Sequence, residues 1–229
     1  MPDFQEVIDR LEKSYGQPSL PKVTDPLGMI IFENIAYLVD DERRAAIFEA
    51  LGKRVGLKPT DILSASSEVL YEVAKPGGMN LEGRVGKLRS IAEITLREFG
   101  GDLDQVLKLP LKQAMKALKK YPGIGDPGAE KILLFTKTHP ILALESNGLR
   151  VLLRLGFGED HKNYATAYRL AQEAVADQLT PDCDWLIRAH LLLRRHGQEL
   201  CRRTEPVCRQ CPLNDDCAWV RTASSVRAW

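Results

Sequence analysis

Residues 119–135 read KKYPGIGDPGAEKILLF, and the folding of this stretch decides how the rest of the chain is read. Pro122-Gly123-Ile124-Gly125 between two helical segments is a tight turn almost free of side chains, set at a helix N-terminus. Backbone N–H groups on such a turn can approach a phosphate closely. Ile124 is the apolar plug that pins the turn to its two helices. An ordinary αα-corner, with glycine serving geometry alone, is the alternative reading of this segment.

Outward from the hairpin the pattern stays helical. Strand-like alternation is scarce, and β-branched residues are scattered among helix formers. Phe4, Val7, Ile8 and Leu11 make one apolar stripe, stopping near Gly16 and Pro18. Asp25-Pro26 opens a buried helix expected over Leu27 to Val39, and Asp41 to Val55 supplies another. Shorter helices over Asp61–Ser64 and Ser67–Ala74 precede the breaker Pro76-Gly77-Gly78. Leu81 to Phe99, Leu103 to Leu107 and a helix behind Pro110 lead into the hairpin. Beyond it, helices are expected near Pro127–Lys137, Asn147–Leu155, Tyr164–Gln178 and Asp182–His196. The last dozen residues read as a loosely tied tail. The fold class is all-α.

Composition excludes several classes. A 229-residue chain with 44% hydrophobic residues is not disordered, and it has room for one large core or two small ones. It lacks the roughly 20-residue uncharged apolar run that a bilayer span requires, so no membrane partner is expected. The acidic start MPDFQEVIDRLEKSYG does not read as a secretory signal, so the expected location is cytoplasmic. With 32 Lys and Arg against 31 Asp and Glu, the net charge is +1, and any nucleic-acid footprint must be local.

That local signal lies at the C-terminus. CRRTEPVCRQCPLNDDC, residues 201–217, spaces Cys201, Cys208, Cys211 and Cys217 by six, two and five residues. Zinc sites usually pair two short ligand loops, whereas here one Cys-x-x-Cys is flanked by longer arms. Four thiolates on one loop suit a four-iron four-sulfur cluster; zinc, then disulfides, are the alternatives. Arg188, Arg194, Arg195, Arg202, Arg203, Arg209 and Arg221 surround the ligands. They read as a basic surface for nucleic acid, or in part as solvated charge balancing an anionic cluster.

Taken together and in this order, hairpin and cysteine loop resemble the endonuclease III and adenine glycosylase branch of the helix-hairpin-helix (HhH-GPD) DNA glycosylases. Tyr121 to Gly125 matches that family's Leu-Pro-Gly-Val-Gly, Asp25-Pro26 its entry into the first buried helix, and Ala143-Leu144-Glu145-Ser146-Asn147 its Ala-Val-Asp-Thr-His. Arg150-Val151 and His196-Gly197 match as well. The resemblance implies two helical domains flanking a DNA cleft. Residues 25–139 would form a six-helix domain with the hairpin, and residues 1–24 with 140–229 a cluster domain. It also implies one 4Fe-4S cluster on the four loop cysteines. The expected partner is double-stranded DNA with a damaged or mispaired base, bound by a monomer on the nucleoid.

The chain departs from that family at its chemistry. Bifunctional members carry a nucleophilic Lys two residues after the second hairpin Gly; here that position is Pro127, which has no such amine. The family's catalytic Asp becomes Glu145, one methylene longer. A monofunctional glycosylase needs only a carboxylate to assist water at C1′ of a flipped nucleotide, and Glu145 is the candidate. The alternative makes it a helix-start acid complementing the dipole. Asn147, replacing the family His, could hold Glu145 or a phosphate. Asn34 is the expected gap-filling residue and Met79 the expected wedge; Tyr37 could stack on an extruded base but reads first as a core residue, as does Cys183. Lys119, Lys120, Lys131 and Lys137 are read as solvated or phosphate-contacting rather than as substitute nucleophiles. The competing function is a catalytically silent binder of distorted DNA; a lyase using another Lys is a weaker third.

Overall fold

A computed structural model of the protein describes residues 1–226, with side chains through Thr222. Among the described residues thirteen α-helices follow in chain order: α1 Phe4–Tyr15, α2 Pro26–Asn34, α3 Asp41–Arg54, α4 Pro59–Ser64, α5 Ser67–Ala74, α6 Leu81–Phe99 and α7 Asp104–Leu107. Then come α8 Leu111–Leu118, α9 Asp126–Phe135, α10 Ser146–Leu155, α11 Tyr164–Val175, α12 Cys183–Glu199 and α13 Ala218–Val226. No strand occurs among the described residues, only an isolated parallel bridge between Tyr37 and Gly78. None of these helices is long and apolar enough to cross a membrane.

Local sequence accounts for where most helices begin. Asp3, Asp25, Asp40, Ser66, Asn80, Asn163 and Asp182 each accept a hydrogen bond from a first-turn N–H, and Pro26 occupies the first turn of α2.

Two compact units result, Pro21–His139 and a second assembled from Met1–Leu20 with the chain from Pro140 onward. In the first, α2 to α9 bury Ile30, Ile31, Leu51, Ile62, Leu70, Leu88 and Ile91 completely. In the second, α1 lays Phe4, Val7, Ile8 and Leu11 inward, with Phe4 edge-on to Phe157 at 5.7 Å and to Trp185 at 5.8 Å. Each such buried side chain contributes about 1.5–3 kcal/mol relative to exposure.

Four expectations are corrected. The buried helix stops at Asn34 instead of Val39, because the chain leaves helical geometry: Tyr37 N–H bonds Gly77 O at 2.8 Å and Leu38 adopts φ +56°. Tyr37 is consequently exposed and not in the core. The described part of the C-terminal dozen is helix α13, not a tail; residues 227–229 lie outside the described residues. Cys183 is half-buried at the start of α12, short of the core position expected for it.

Candidate functional site

Glu145 is the N-cap of α10, with extended backbone at φ −113°. Its Oε1 accepts from Gly148 N–H at 2.8 Å and its Oε2 from Asn147 Nδ2 at 2.8 Å. The helix-start role and the placement of Asn147 beside the carboxylate therefore coexist in one structure. Asn147 Oδ1 in turn accepts from Arg150 at 2.8 Å. Arg150 also donates to Gly197 O at 2.7 Å and Cys201 O at 2.8 Å, so one guanidinium ties the acid's support to the start of the cysteine loop. Burial pulls the Arg150 pKa below its usual value.

The loop itself is closed by Val207 N–H to Leu200 O at 2.9 Å and by two 3-10 turns, Cys208–Gln210 and Asn214–Asp216. Arg10 anchors it from α1 through Asp216 and Pro212 O. Around the sulfurs stand N–H donors: Arg154 to Cys201 Sγ at 3.3 Å and Leu213 N–H to Cys211 Sγ at 3.4 Å. His196 Nε2 lies 3.5 Å from Cys211 Sγ, while Tyr15 O–H meets Nδ1 at 2.8 Å. An electron-rich sulfur at Nε2 favours the tautomer with hydrogen there, leaving Nδ1 to accept from Tyr15. Burial holds the His196 pKa down at about 4, so the ring is neutral at pH 7.

Burial, reinforced by the other three cysteines, pushes the Cys211 thiol up to about 11, and burial likewise raises Cys208. Thiols crowded this way ionise only with positive charge among them. Four thiols on one loop, two of them met by N–H donors, therefore fit a cationic iron core, which would be held by Cys201, Cys208, Cys211 and Cys217. No disulfide joins them, and among the described residues no three His, Cys, Asp or Glu side chains are grouped to hold a single metal ion.

The expected basic surface divides in two. Arg188 pairs with Glu12 at 3.0 Å, and Arg195 pairs with Glu199 at 2.8 Å and bonds Tyr15 O, so both serve contacts near α1. Arg202 and Arg203 are exposed beside a hollow of about 1000 Å³ that Arg150, Arg154, Tyr164 and Trp219 also line. Arg154 stacks over the Trp219 ring at 4.9 Å.

In the other unit, α8 and α9 enclose the hairpin. Tyr121 is buried, its hydroxyl 3.0 Å from Thr95 Oγ1 on α6, and Ile124 is buried as the plug. Gly123 takes φ +73°; Gly125 caps α9 without a side-chain hydrogen bond, and Pro127 occupies its second position. Proline is tolerated there because first-turn N–H groups lack intrahelical partners anyway. The nearby lysines are tied down: Lys119 to Asp126 at 2.6 Å, Lys120 to Glu98 at 2.5 Å and Lys131 to Glu33 at 2.5 Å. Lys137 follows α9 at φ +56°.

No family model matches the chain. Among curated proteins, the endonuclease III of Rickettsia conorii is 31% identical over 161 residues, covering 69% of this chain and 68% of the relative. The chain belongs to the endonuclease III family of DNA glycosylases. A thymine-DNA glycosylase of Aeropyrum pernix is 25% identical over 215 residues, spanning 90% of this chain and 88% of its own. In fold, the chain matches a solved structure of a thermostable thymine-DNA glycosylase with TM-score 0.76 at 17% identity, over 96% of this chain and 97% of that one.

Within this family member, the expected gap-filling residue is displaced. Asn34 is 4% exposed, donates Nδ2 to Ile30 O at 3.0 Å and lies against Gly123, so it supports the hairpin from beneath. Exposed large side chains just beyond α2 and before α6 are Tyr37, Leu38 and the expected Met79. Sequence reading also passed over Arg84, Arg154 and the role of Arg150. Arg150 and Arg154 stand one turn apart on α10, a spacing that puts two cations on one face. Nothing local announced what that face meets.

Proposed function

We propose that this protein is a monofunctional glycosylase of base-excision repair. It binds double-stranded DNA containing a damaged or mispaired base, hydrolyses that base's N-glycosidic bond and leaves the strand uncut. The observation that carries this reading is a carboxylate, Glu145, held by Asn147 and Gly148 in a chain whose family amine position is Pro127. As the base departs with the bonding electrons, positive charge develops on the sugar. Glu145 stabilises that charge and takes a proton from the water that attacks C1′.

The remaining parts divide the binding work. Pro122, Gly123, Ile124 and Gly125 grip backbone phosphate without reading bases. Asn147, Arg202 and Arg203 add phosphate contacts near the carboxylate, and Met79 with Tyr37 enters the base stack. Cys201, Cys208, Cys211 and Cys217 hold one 4Fe-4S cluster, which when bound supplies covalent cross-links to the loop. The protein acts as a monomer, cytoplasmic and associated with the nucleoid.

The test is single-turnover base release from a panel of duplexes, each with one lesion or mismatch, beginning with a mispaired thymine because a relative is named for that base. Glu145→Gln is expected to slow release by at least ~100-fold with little change in DNA affinity, the scale of a positioned general base. Equal rates would remove Glu145 from the mechanism. A second reading, a silent binder of distorted DNA, is favoured by one observation: both Glu145 oxygens already accept hydrogen bonds, Oε1 in capping α10 and Oε2 from Asn147. Tight binding without release from any duplex would decide for it.

A further inference from the structure

Among the described residues, Arg84 is the buried side chain that carries a permanent charge, at 3% exposure. Burial of a guanidinium is costly unless a carboxylate or several oxygens receive it. Here the oxygens are carbonyls. Nε donates to Met79 O at 2.9 Å, one terminal nitrogen to Ile35 O at 2.9 Å and Ala74 O at 2.6 Å, and the other to Gly78 O at 2.9 Å. Ile35 and Ala74 lie at the C-terminal ends of α2 and α5, where the helix dipole is negative. Arg84 itself sits near the start of α6, where a cation opposes that helix's own dipole. Stability of α6 therefore does not explain it.

What Arg84 joins is two loop segments at their closest approach. Tyr37 N–H bonds Gly77 O at 2.8 Å, a Cβ on Gly77 would fall 2.6 Å from Ile35 O, and one on Gly78 would collide with Tyr37 O. Leu38 at φ +56° and Asn80 at φ +55° flank the junction in left-handed backbone that costs free energy to hold. Three large apolar side chains leave these segments for solvent: Tyr37 57%, Leu38 72% and Met79 64% exposed. Apolar groups in that setting suit an opened base step, and a wedge already rigid loses little freedom on entering it.

Resting on the glycosylase reading above, we propose that Arg84 is a positioning residue for DNA distortion: its guanidinium locks residues 35–38 and 77–79 into one preformed knuckle. Tyr37, Leu38 and Met79 then enter the stack beside the target base as a single body.

The test compares wild type, Arg84→Lys, the double variant Tyr37→Ala/Met79→Ala and the triple combination. Each is assayed on a duplex that wild type processes and on the same lesion in single-stranded DNA, where no stack needs opening. Arg84→Lys and the double variant are each expected to lose about tenfold or more in single-turnover release from duplex, and under about threefold from single strands. The triple variant should lose no more than either, since residues acting as one unit are not additive. The rise of 2-aminopurine fluorescence beside the lesion, which reports unstacking without chemistry, should vanish in the same variants.

Equal losses on both substrates, additive losses, or undiminished fluorescence would overturn the role given to Arg84. Should Arg84→Lys not fold, amide exchange in wild type decides: the Tyr37 N–H must be protected as a helix amide is, and fast exchange refutes a rigid knuckle. Wild type that neither releases a base nor raises fluorescence on any lesion defeats the glycosylase reading, and this inference with it. Release lost only in the variants, but without regard to substrate, defeats Arg84 alone.

Discussion

At Glu145 the chain places a carboxylate where α10 needs a cap, so any substitution there tests two properties at once. Asn147 separates them, because it touches Oε2 but not the capping hydrogen bond from Gly148. Asn147→Ala is expected to slow base release by about tenfold while removing two hydrogen bonds worth about 1 kcal/mol each. Paired measurements of single-turnover rate and melting temperature check this. A large loss of stability at unchanged rate would make Asn147 structural only. Lysine chemistry belongs to the same scale. With Pro127 at the amine position and Lys131 held by Glu33 at 2.5 Å, borohydride should trap no covalent protein–DNA adduct, and the abasic strand should remain whole. Efficient trapping, lost on Lys131→Gln, would show that this amine had been recruited.

The hairpin element assigns its glycines different duties. Gly123 requires a left-handed φ of +73°, and a Cβ there would come within 2.7 Å of Asn34 Oδ1. Gly125 has φ −97°, open to any residue, and a Cβ there would meet nothing nearer than Pro127 Cδ at 3.8 Å. Gly125→Val should therefore fold normally yet keep a phosphate away, weakening binding to all duplexes alike. Affinity across several base sequences at fixed salt checks it; losses confined to some sequences would contradict backbone gripping. Asn34→Ala should behave oppositely, costing about 1–3 kcal/mol of stability for a broken buried network. If Asn34→Ala spared the fold and abolished base extrusion, the gap-filling assignment would return.

Over the whole molecule, the cysteine loop is tied to α10 by Arg150 and Arg154 and to α1 by Arg10, so the cluster is expected to be a staple for that unit. Protein purified without air should be brown and hold four irons per chain. Cys208→Ser should lower iron content and open residues 200–217 to proteolysis before α2 to α9 are cut. A colourless preparation with one zinc would overturn the assignment.

The all-α class, most helix boundaries and the cysteine loop were legible in the sequence, because caps, apolar periodicity and ligand spacing act over a few residues. Asp25-Pro26, Gly100 and the cluster of four cysteines needed no partner to be read. The departures at Pro127 and Glu145 were legible too, as positions counted from a motif. Tertiary structure alone decided what each side chain meets. Asn34 and Tyr37 lie three residues apart at the end of α2, yet one is buried under the hairpin and the other exposed. That difference arises where the chain stops being helical, and there Gly77 and Arg84, some forty residues later, accept or donate its backbone hydrogen bonds while Gly78 packs against Tyr37 O. Partners so distant leave no periodic trace in the sequence near Tyr37; their pairing exists only once the two segments pack.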